Sequence, residues 1–324
     1  MNRISFALAA ICLIALAVTP GYSWLSQFTG GPNNVDRWDF TAFPVVWNLN
    51  PATGSNVTGN RSVHDVMVAS FATWTTAPNA ALGVNEGANS GVGSQEASPS
   101  NENLICFVCT DADFTQDSST LAITITTTAN NAGESDGHGG TSRFGGQIIK
   151  SDILFNPKVQ YTTGGTDGEN LQVIATHEIG HFFGLDHSGV VRAIMFPFAG
   201  STTTLSYDDV AGISTVYPSA SQQFAPGSIS GRIAFTNGGG VFGAHVFAES
   251  TTSNLPIGGN IRKSPISTLT APDGTYTIRG IPADTYNVTA EPLDDPVTKS
   301  DVDTYPGVFG QSTLQTNFTT RWRQ

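Results

Sequence analysis

Three of the chain's six histidines fall within eleven residues: His177-Glu178-Ile179-Gly180-His181-Phe182-Phe183-Gly184-Leu185-Asp186-His187. On a helix, His177 and His181 stand one turn apart on one face. Two imidazoles so placed can grip one Zn²⁺ at about 2.0–2.1 Å each. Gly184 can adopt positive φ and end the helix sharply, letting the chain turn back and deliver His187 as a third ligand. Three protein ligands leave one position open for water, the arrangement of a catalytic zinc rather than a structural one. Zinc lowers the pKa of such a water to about 7. Glu178, beside the ligands, can take the proton, and the hydroxide attacks a peptide carbonyl polarised by the metal. The same carboxyl can later protonate the leaving amine. The competing reading is a buried helix whose histidines only bond to backbone.

The elements needed to position these groups are visible in the flanking sequence. Leu171, Ala175, Ile179 and Phe182 form one apolar stripe, with Asp167 placed to cap a helix beginning near Glu169. Val63–Trp74 has apolar residues at 63, 66, 67, 71 and 74, the spacing of an amphipathic helix. Phe43–Leu49, Leu104–Val108, Leu121–Thr127 and Gln147–Phe155 read as strands, and 83–103 and 130–146 as loops.

The zinc-site pattern is H-E-x-x-H-x-x-G-x-x-H, and Ala193-Ile194-Met195-Phe196-Pro197 places a methionine eight residues past His187. That combination is the metzincin signature with its Met-turn. HEIGHFFGLDHS followed by AIMFP resembles the matrixins, the metzincin branch of the matrix metalloproteinases and their bacterial relatives. Met195 reads as a packing floor beneath the site, because a thioether is a soft ligand suited to other metals. LSYDDVAGISTVYP resembles the last helix of a matrixin catalytic domain. The resemblance implies that Asp209 bonds to the Met-turn backbone and that Asp208 can pair with a mature N-terminal ammonium. RWDFTAFPVVWNL and VHDVMVASFATW resemble the first strand and helix. LAITITT would be the edge strand that pairs with an extended substrate, a general mode of peptide recognition, and IIKSDILFN the strand beside it. The resemblance covers about residues 35–218.

The departures from the family are also informative. Only about 12 residues separate Trp24 from Trp38, so no pro-segment with a zinc-blocking cysteine is expected. Leu154 stands where animal members carry a ligand of a second, structural zinc. His138 and Asp152 remain, but two groups do not make a site. Asp- and Gly-rich loops at 130–146 and 163–170 offer oxygens to Ca²⁺ without a defined ligand pattern. Phe196 and Phe198 leave no tyrosine ligand near the Met-turn. His64 and His245 read as structural or surface histidines.

Composition narrows the remaining choices. Charged residues are only 12% and the net charge is −12, with no basic cluster, which argues against nucleic-acid binding. Ile4–Val18 is almost wholly apolar, follows Arg3 and is too short to span a bilayer, the layout of a secretory signal with candidate cuts after Ala17 or Ser23, the favoured one just before Trp24; the alternative is a retained membrane anchor. No later run spans a membrane. Removing the signal leaves only Cys106 and Cys109, read as a local disulfide, with free thiols as the alternative. Four N-x-S/T sites, at Asn56, Asn60, Asn287 and Asn317, are expected by chance in so Asn- and Thr-rich a chain.

Past Tyr217–Pro226 the texture changes to short strands between Gly, Pro and Asp turns, with Asp273-Gly274 a hairpin signal. Residues 226–293 resemble the carboxypeptidase regulatory-like β-sandwich, a relative of transthyretin-like and collagen-adhesin B-type repeats. It reads as a module that docks a protein or glycan, or as a stabilising spacer. The expected organisation is thus a signal at 1–23, an α/β (α+β) metzincin catalytic domain with a mixed twisted sheet and active-site helix at 24–222, an all-β sandwich at 226–293 and a tail at 294–324. The expected activity is that of a secreted zinc endopeptidase acting on protein or peptide. The rivals are a non-catalytic adhesin using the β-sandwich and a zinc hydrolase of another amide, such as a cell-wall peptide.

Overall fold

The structure is a computed structural model that describes residues 26–94, 101–111, 114, 119–136, 139–252, 261–293, 296–302, 304–311 and 313–323. The signal expected over 1–23, Trp24 and His138 lie outside the described residues. The first half of the chain contains β1 (Val45–Leu49), β2 (Val57–Thr58), α1 (Val63–Thr75), β3 (Val84–Glu86), β4 (Leu104–Cys106), β5 (Ala122–Thr128), β6 (Ile148–Phe155), β7 (Tyr161–Thr162), β8 (Glu169–Asn170), α2 (Leu171–Phe182) and α3 (Tyr207–Val216). Five strands form one mixed sheet in the order β3-β1-β4-β6-β5. All its neighbours are parallel except β5, which runs antiparallel to β6 at the edge. β4 and β6, inside the sheet, are rich in Ile and Leu and almost wholly buried because both their faces are covered. Two expectations need correcting. The loop expected at 83–103 contributes β3, whose three residues pair along β1. The strand expected over 104–108 ends at Cys106, where the Cys106–Cys109 disulfide turns the chain.

Helix α2 is the element that matters for chemistry. Its cap is Asn170, not Asp167: the Asn170 side chain accepts from the N–H groups of Gln172 and Val173, a cap worth about 1 kcal/mol. Leu171, Ala175, Ile179 and Phe182 are all fully buried. Three aromatic side chains then fix the helix along its axis. The Trp74 indole donates to Thr176 O at 2.7 Å, the Trp38 indole to Phe182 O at 2.9 Å, and the Tyr217 hydroxyl to Phe183 O at 2.9 Å. The last two satisfy carbonyls that a helix end would otherwise leave without partners.

The second half comprises β9 (Gly227–Arg232), β10 (His245–Ser250), β11 (Ile266–Leu269), β12 (Thr275–Ile281), β13 (Tyr286–Glu291), α4 (Thr304–Val308) and β14 (Arg321–Arg323). β11-β10-β13-β14 form an antiparallel sheet, and β12 pairs with β9 in a second, two-stranded one. Asp273-Gly274 does close a tight turn, with Gly274 at φ +82°. The strands it joins, β11 and β12, run in different sheets rather than as a simple hairpin. Val246, Ala248, Ile278 and Ala290 of these sheets belong to the same apolar core as α2, α3 and the first sheet. The junction at 220–226 is pinned rather than loose. Asn79, at φ +61°, donates to Phe224 O at 2.9 Å and accepts from Gln223 N at 2.6 Å. The stretch expected as a tail is also built in: Val297, Val302, Tyr305 and Leu314 form a buried cluster with Phe242, Leu269 and Leu293.

Candidate metal centre

His177, Glu178 and His181 project from α2. Gly184, at φ +86°, ends the helix; the N–H of Leu185 reaches back to Gly180 O at 3.1 Å, the closure of a Schellman turn. A side chain could not replace it, since a Cβ at Gly184 would lie 2.0 Å from Asp36 O. The reversed chain returns His187 to the same place. The potential ligand atoms of His177, His181 and His187 all lie within 4.8 Å of one another, and among the described residues this is the only such convergence of three His, Cys, Asp or Glu side chains.

The ring orientations decide what the cluster can hold. His177 Nδ1 is 2.7 Å from Ile194 O, His181 Nδ1 is 2.7 Å from Leu185 O, and His187 Nδ1 is 2.8 Å from Asp301 O. A carbonyl only accepts, so each Nδ1 carries the proton. In a neutral ring the proton on Nδ1 leaves Nε2 with its lone pair. The Nε2 atoms of His177 and His181 are 3.1 Å apart. Ligands of a tetrahedral Zn²⁺ stand about 3.3 Å apart at ordinary Zn–N lengths. Burial pushes the His177 imidazole down to about 4, with the neighbouring His187 adding to it, and holds His181 well below the usual range for the same reasons. Both rings are neutral at pH 7, the form that ligates metal. The three-imidazole set therefore fits a zinc ion.

Glu178 is buried beside the cluster, and burial pushes its carboxyl up to about 7. The Thr124 hydroxyl works against that shift. It lies 2.6 Å from Glu178 Oε2 and 3.1 Å from Glu178 O, sharing one proton between them. Thr124 belongs to the edge strand β5, so the strand and the carboxyl are tied together. Nothing in LAITITT distinguishes Thr124 from its neighbours, and sequence reasoning missed it.

Beneath the imidazoles, Met195 is 2% exposed. Gly180 lets it approach: a Cβ there would lie 2.1 Å from Met195 Sδ and 2.9 Å from the Trp74 ring. A glycine inside a helix costs about 1 kcal/mol against alanine, which was the available signal for this contact. Asp209 accepts from the backbone N–H groups of Ile194 (2.9 Å), Met195 (3.2 Å) and Ser206 (2.7 Å). It thereby ties the Met-turn to the start of α3. The N-terminal residues whose ammonium the resemblance pairs with Asp208 lie outside the described residues. The Asp208 carboxylate accepts from Ser188 Oγ at 2.5 Å and from Ser267 N, in β11, at 2.7 Å.

The remaining candidates lie elsewhere. Cys106 and Cys109 are disulfide-bonded and pack with Leu104, Phe114 and Leu154. Asp152 pairs with Lys150 at 2.9 Å and accepts from Leu104 N at 2.8 Å. In the 130–146 loop, the Glu134 and Asp136 carboxylates accept from the N–H groups of Asn130 and Gly140. His64 is exposed and bonded to Glu86. His245 is buried and bonded to Glu291 at 3.1 Å.

Residues 108–218 match the family model described as Matrixin. The chain is 41% identical over 92 residues to macrophage metalloelastase of Oryctolagus cuniculus, covering 26% of this chain and 20% of that protein. It is 37% identical over 76 residues to matrilysin of Rattus norvegicus, covering 22% and 28%, and 41% identical over 83 residues to stromelysin-1 of Mus musculus, covering 24% and 17%. The matched stretch spans less than a third of each of these curated relatives. The three imidazoles, Glu178 and the Met-turn all fall inside residues 108–218, the stretch that matches the Matrixin model.

Proposed function

We propose that the protein is a secreted, zinc-dependent endopeptidase whose metal is held by His177, His181 and His187. The carrying observation is that all three rings bond a backbone carbonyl through Nδ1 while their potential ligand atoms gather within 4.8 Å of one another, with a buried carboxyl beside them. Zinc, when bound, supplies a Lewis acid that polarises the scissile carbonyl and acidifies the attacking water. Glu178 accepts the water's proton and returns it to the leaving amine. Thr124 keeps Oε2 oriented through both transfers. Met195 and Asp209 support the ligand helix and the turn under it. An extended substrate strand would add to the free edge of β5, using backbone bonds that demand little of its sequence.

Export is supported by the apolar stretch Ile4–Val18 and by the Cys106–Cys109 disulfide, which belongs to an oxidising compartment. No helix among the described residues is long and apolar enough to cross a membrane. In this reading 226–293 is a carboxypeptidase regulatory-like module that docks a protein or glycan, and calcium, if bound, sits in the 130–146 or 163–170 loops. The adhesin reading gives no reason for an intact Glu178 among correctly turned imidazoles. The test is zinc content of the mature protein together with cleavage of a casein-like substrate and of cell-wall peptides. One zinc per chain and casein cleavage abolished by a chelator and by Glu178→Ala are expected. Stoichiometric zinc without cleavage of any protein would return the adhesin. Cleavage of cell-wall peptides alone would favour the other amide hydrolase.

A further inference from the structure

His177 and His181 are oriented by carbonyls of the Met-turn and of the helix end, within the same half of the chain. His187 is oriented by a carbonyl 114 residues away, that of Asp301. This third contact is built, not incidental. Thr298 donates to Asp301 Oδ2 through its N–H (2.8 Å) and its hydroxyl (2.9 Å), and Asp301 N donates back to Thr298 O at 3.0 Å. These bonds close a small turn that fixes the Asp301 peptide. Val297 and Val302, 3% and 1% exposed, anchor the turn on both sides in the cluster with Phe242, Leu269 and Tyr305. Phe196, next to Met195, packs against the same cluster.

The residues that follow His187 are held from the same side. Ser188 donates to Asp208, whose other oxygen accepts from Ser267 N. Gly189 lies flat on the His245 ring, where a Cβ would meet Nε2 at 2.8 Å. The loop carrying the third imidazole is thus enclosed by β10, β11 and the 297–302 turn. A ligand on a loop has more freedom to rotate or change tautomer than one on a helix, so its outer partner matters more.

We propose that the 297–302 turn is a positioning element of the metal centre, and that tight zinc binding requires the Asp301 carbonyl on His187 Nδ1. The inference rests on the three-histidine zinc site proposed above. It makes the C-terminal segment part of the catalytic unit, whatever else that half of the chain binds.

The test is the zinc dissociation constant of the full-length protein, measured by competition with a chromogenic chelator, with the visible spectrum of the Co²⁺ form as a report on ligand geometry. Loss of an outer partner of a metal-bound histidine costs about 10–100-fold in affinity. Asp301→Ala is expected to fall at about the lower end of that range and to alter the Co²⁺ bands. Asp301→Asn keeps a side-chain oxygen for Thr298 and should bind zinc close to wild type. Val302→Ala, which loosens the same turn from its other side, should act like Asp301→Ala and serves if that variant does not fold. Thr252→Ala, bonded to Asp284 in the same half, should change nothing. Wild-type affinity and spectrum in both Asp301→Ala and Val302→Ala would overturn the proposal, as would an equal loss in Thr252→Ala. Absence of zinc binding by the wild-type chain would instead overturn the metal site itself.

Discussion

The two sides of the metal centre are built by different means. His177 and His181 sit on a capped helix held by Trp74, Trp38 and Tyr217, and their ring partners lie 17 and 4 residues away. His187 sits on a loop, and its surroundings come from Asp208, Ser267, His245 and Asp301. One side is preorganised by local helical geometry and the other by long-range closure. The helix side should therefore tolerate changes in the C-terminal half, and the loop side should register them.

The largest effect probes the group shared by both sides. Glu178→Gln should reduce cleavage by about 10²–10⁴-fold, the usual contribution of a general base, while zinc content stays at one per chain. Retained activity would detach Glu178 from the reaction. Next, Gly180→Ala attacks the helix side alone. The added methyl collides with Met195 Sδ, and overpacking of this kind costs about 1–3 kcal/mol. Chemical denaturation should show that loss, with part of it recovered when Met195→Ala is added. Its counterpart on the loop side is Asp208→Ala, which strips partners from Ser188 and Ser267 N. Leaving buried donors unmade costs about 1–3 kcal/mol, and zinc affinity should fall with stability here but not in Gly180→Ala.

A pH experiment sharpens the same division. In the metal-free protein the Glu178 carboxyl is raised by burial to about 7 from 4.5. A raised folded value means that its contribution to stability is complete below about 4.5 and is lost as pH rises through about 7. His177 and His181 are lowered by burial, so their contribution is present above the ordinary histidine range and is lost as pH falls. The opposing terms are separated by difference: Glu178→Gln should gain on wild type at pH 8 relative to pH 5 in urea melts of chelated protein. The smallest effect is that of Thr124→Val. Removing the bond that holds the Glu178 carboxylate should move the acidic limb of the cleavage profile to higher pH and lower kcat severalfold, with KM little changed.

What could be read from sequence followed the same line. The α2 histidines, Glu178 and Gly184 are legible because i, i+1 and i+4 spacing on a helix fixes direction in space, and a glycine at a helix end has a known conformational reason. The strands that position the helix are legible from β-branched runs. Asp301 is not, because a backbone carbonyl leaves no mark on residue type and the contact spans 114 positions. Thr124 is hidden among identical β-branched neighbours. The bond from Ser267 N to Asp208 is equally silent in the sequence, because a backbone N–H leaves no mark on residue type and Ser267 lies outside the family resemblance. The stretch after 293 is rich in polar residues, yet four of its apolar ones, Val297, Val302, Tyr305 and Leu314, are buried in one cluster.

The most direct test of the central claim is a titration of the metal-free protein with zinc while cleavage of an unstructured protein substrate is followed. The rate should rise in proportion to added metal and level off at one zinc per chain, with no rise at any loading in His181→Ala. Undiminished cleavage by the chelated protein, or a fully loaded wild-type chain that cleaves nothing, would contradict a hydrolytic centre built on these three imidazoles.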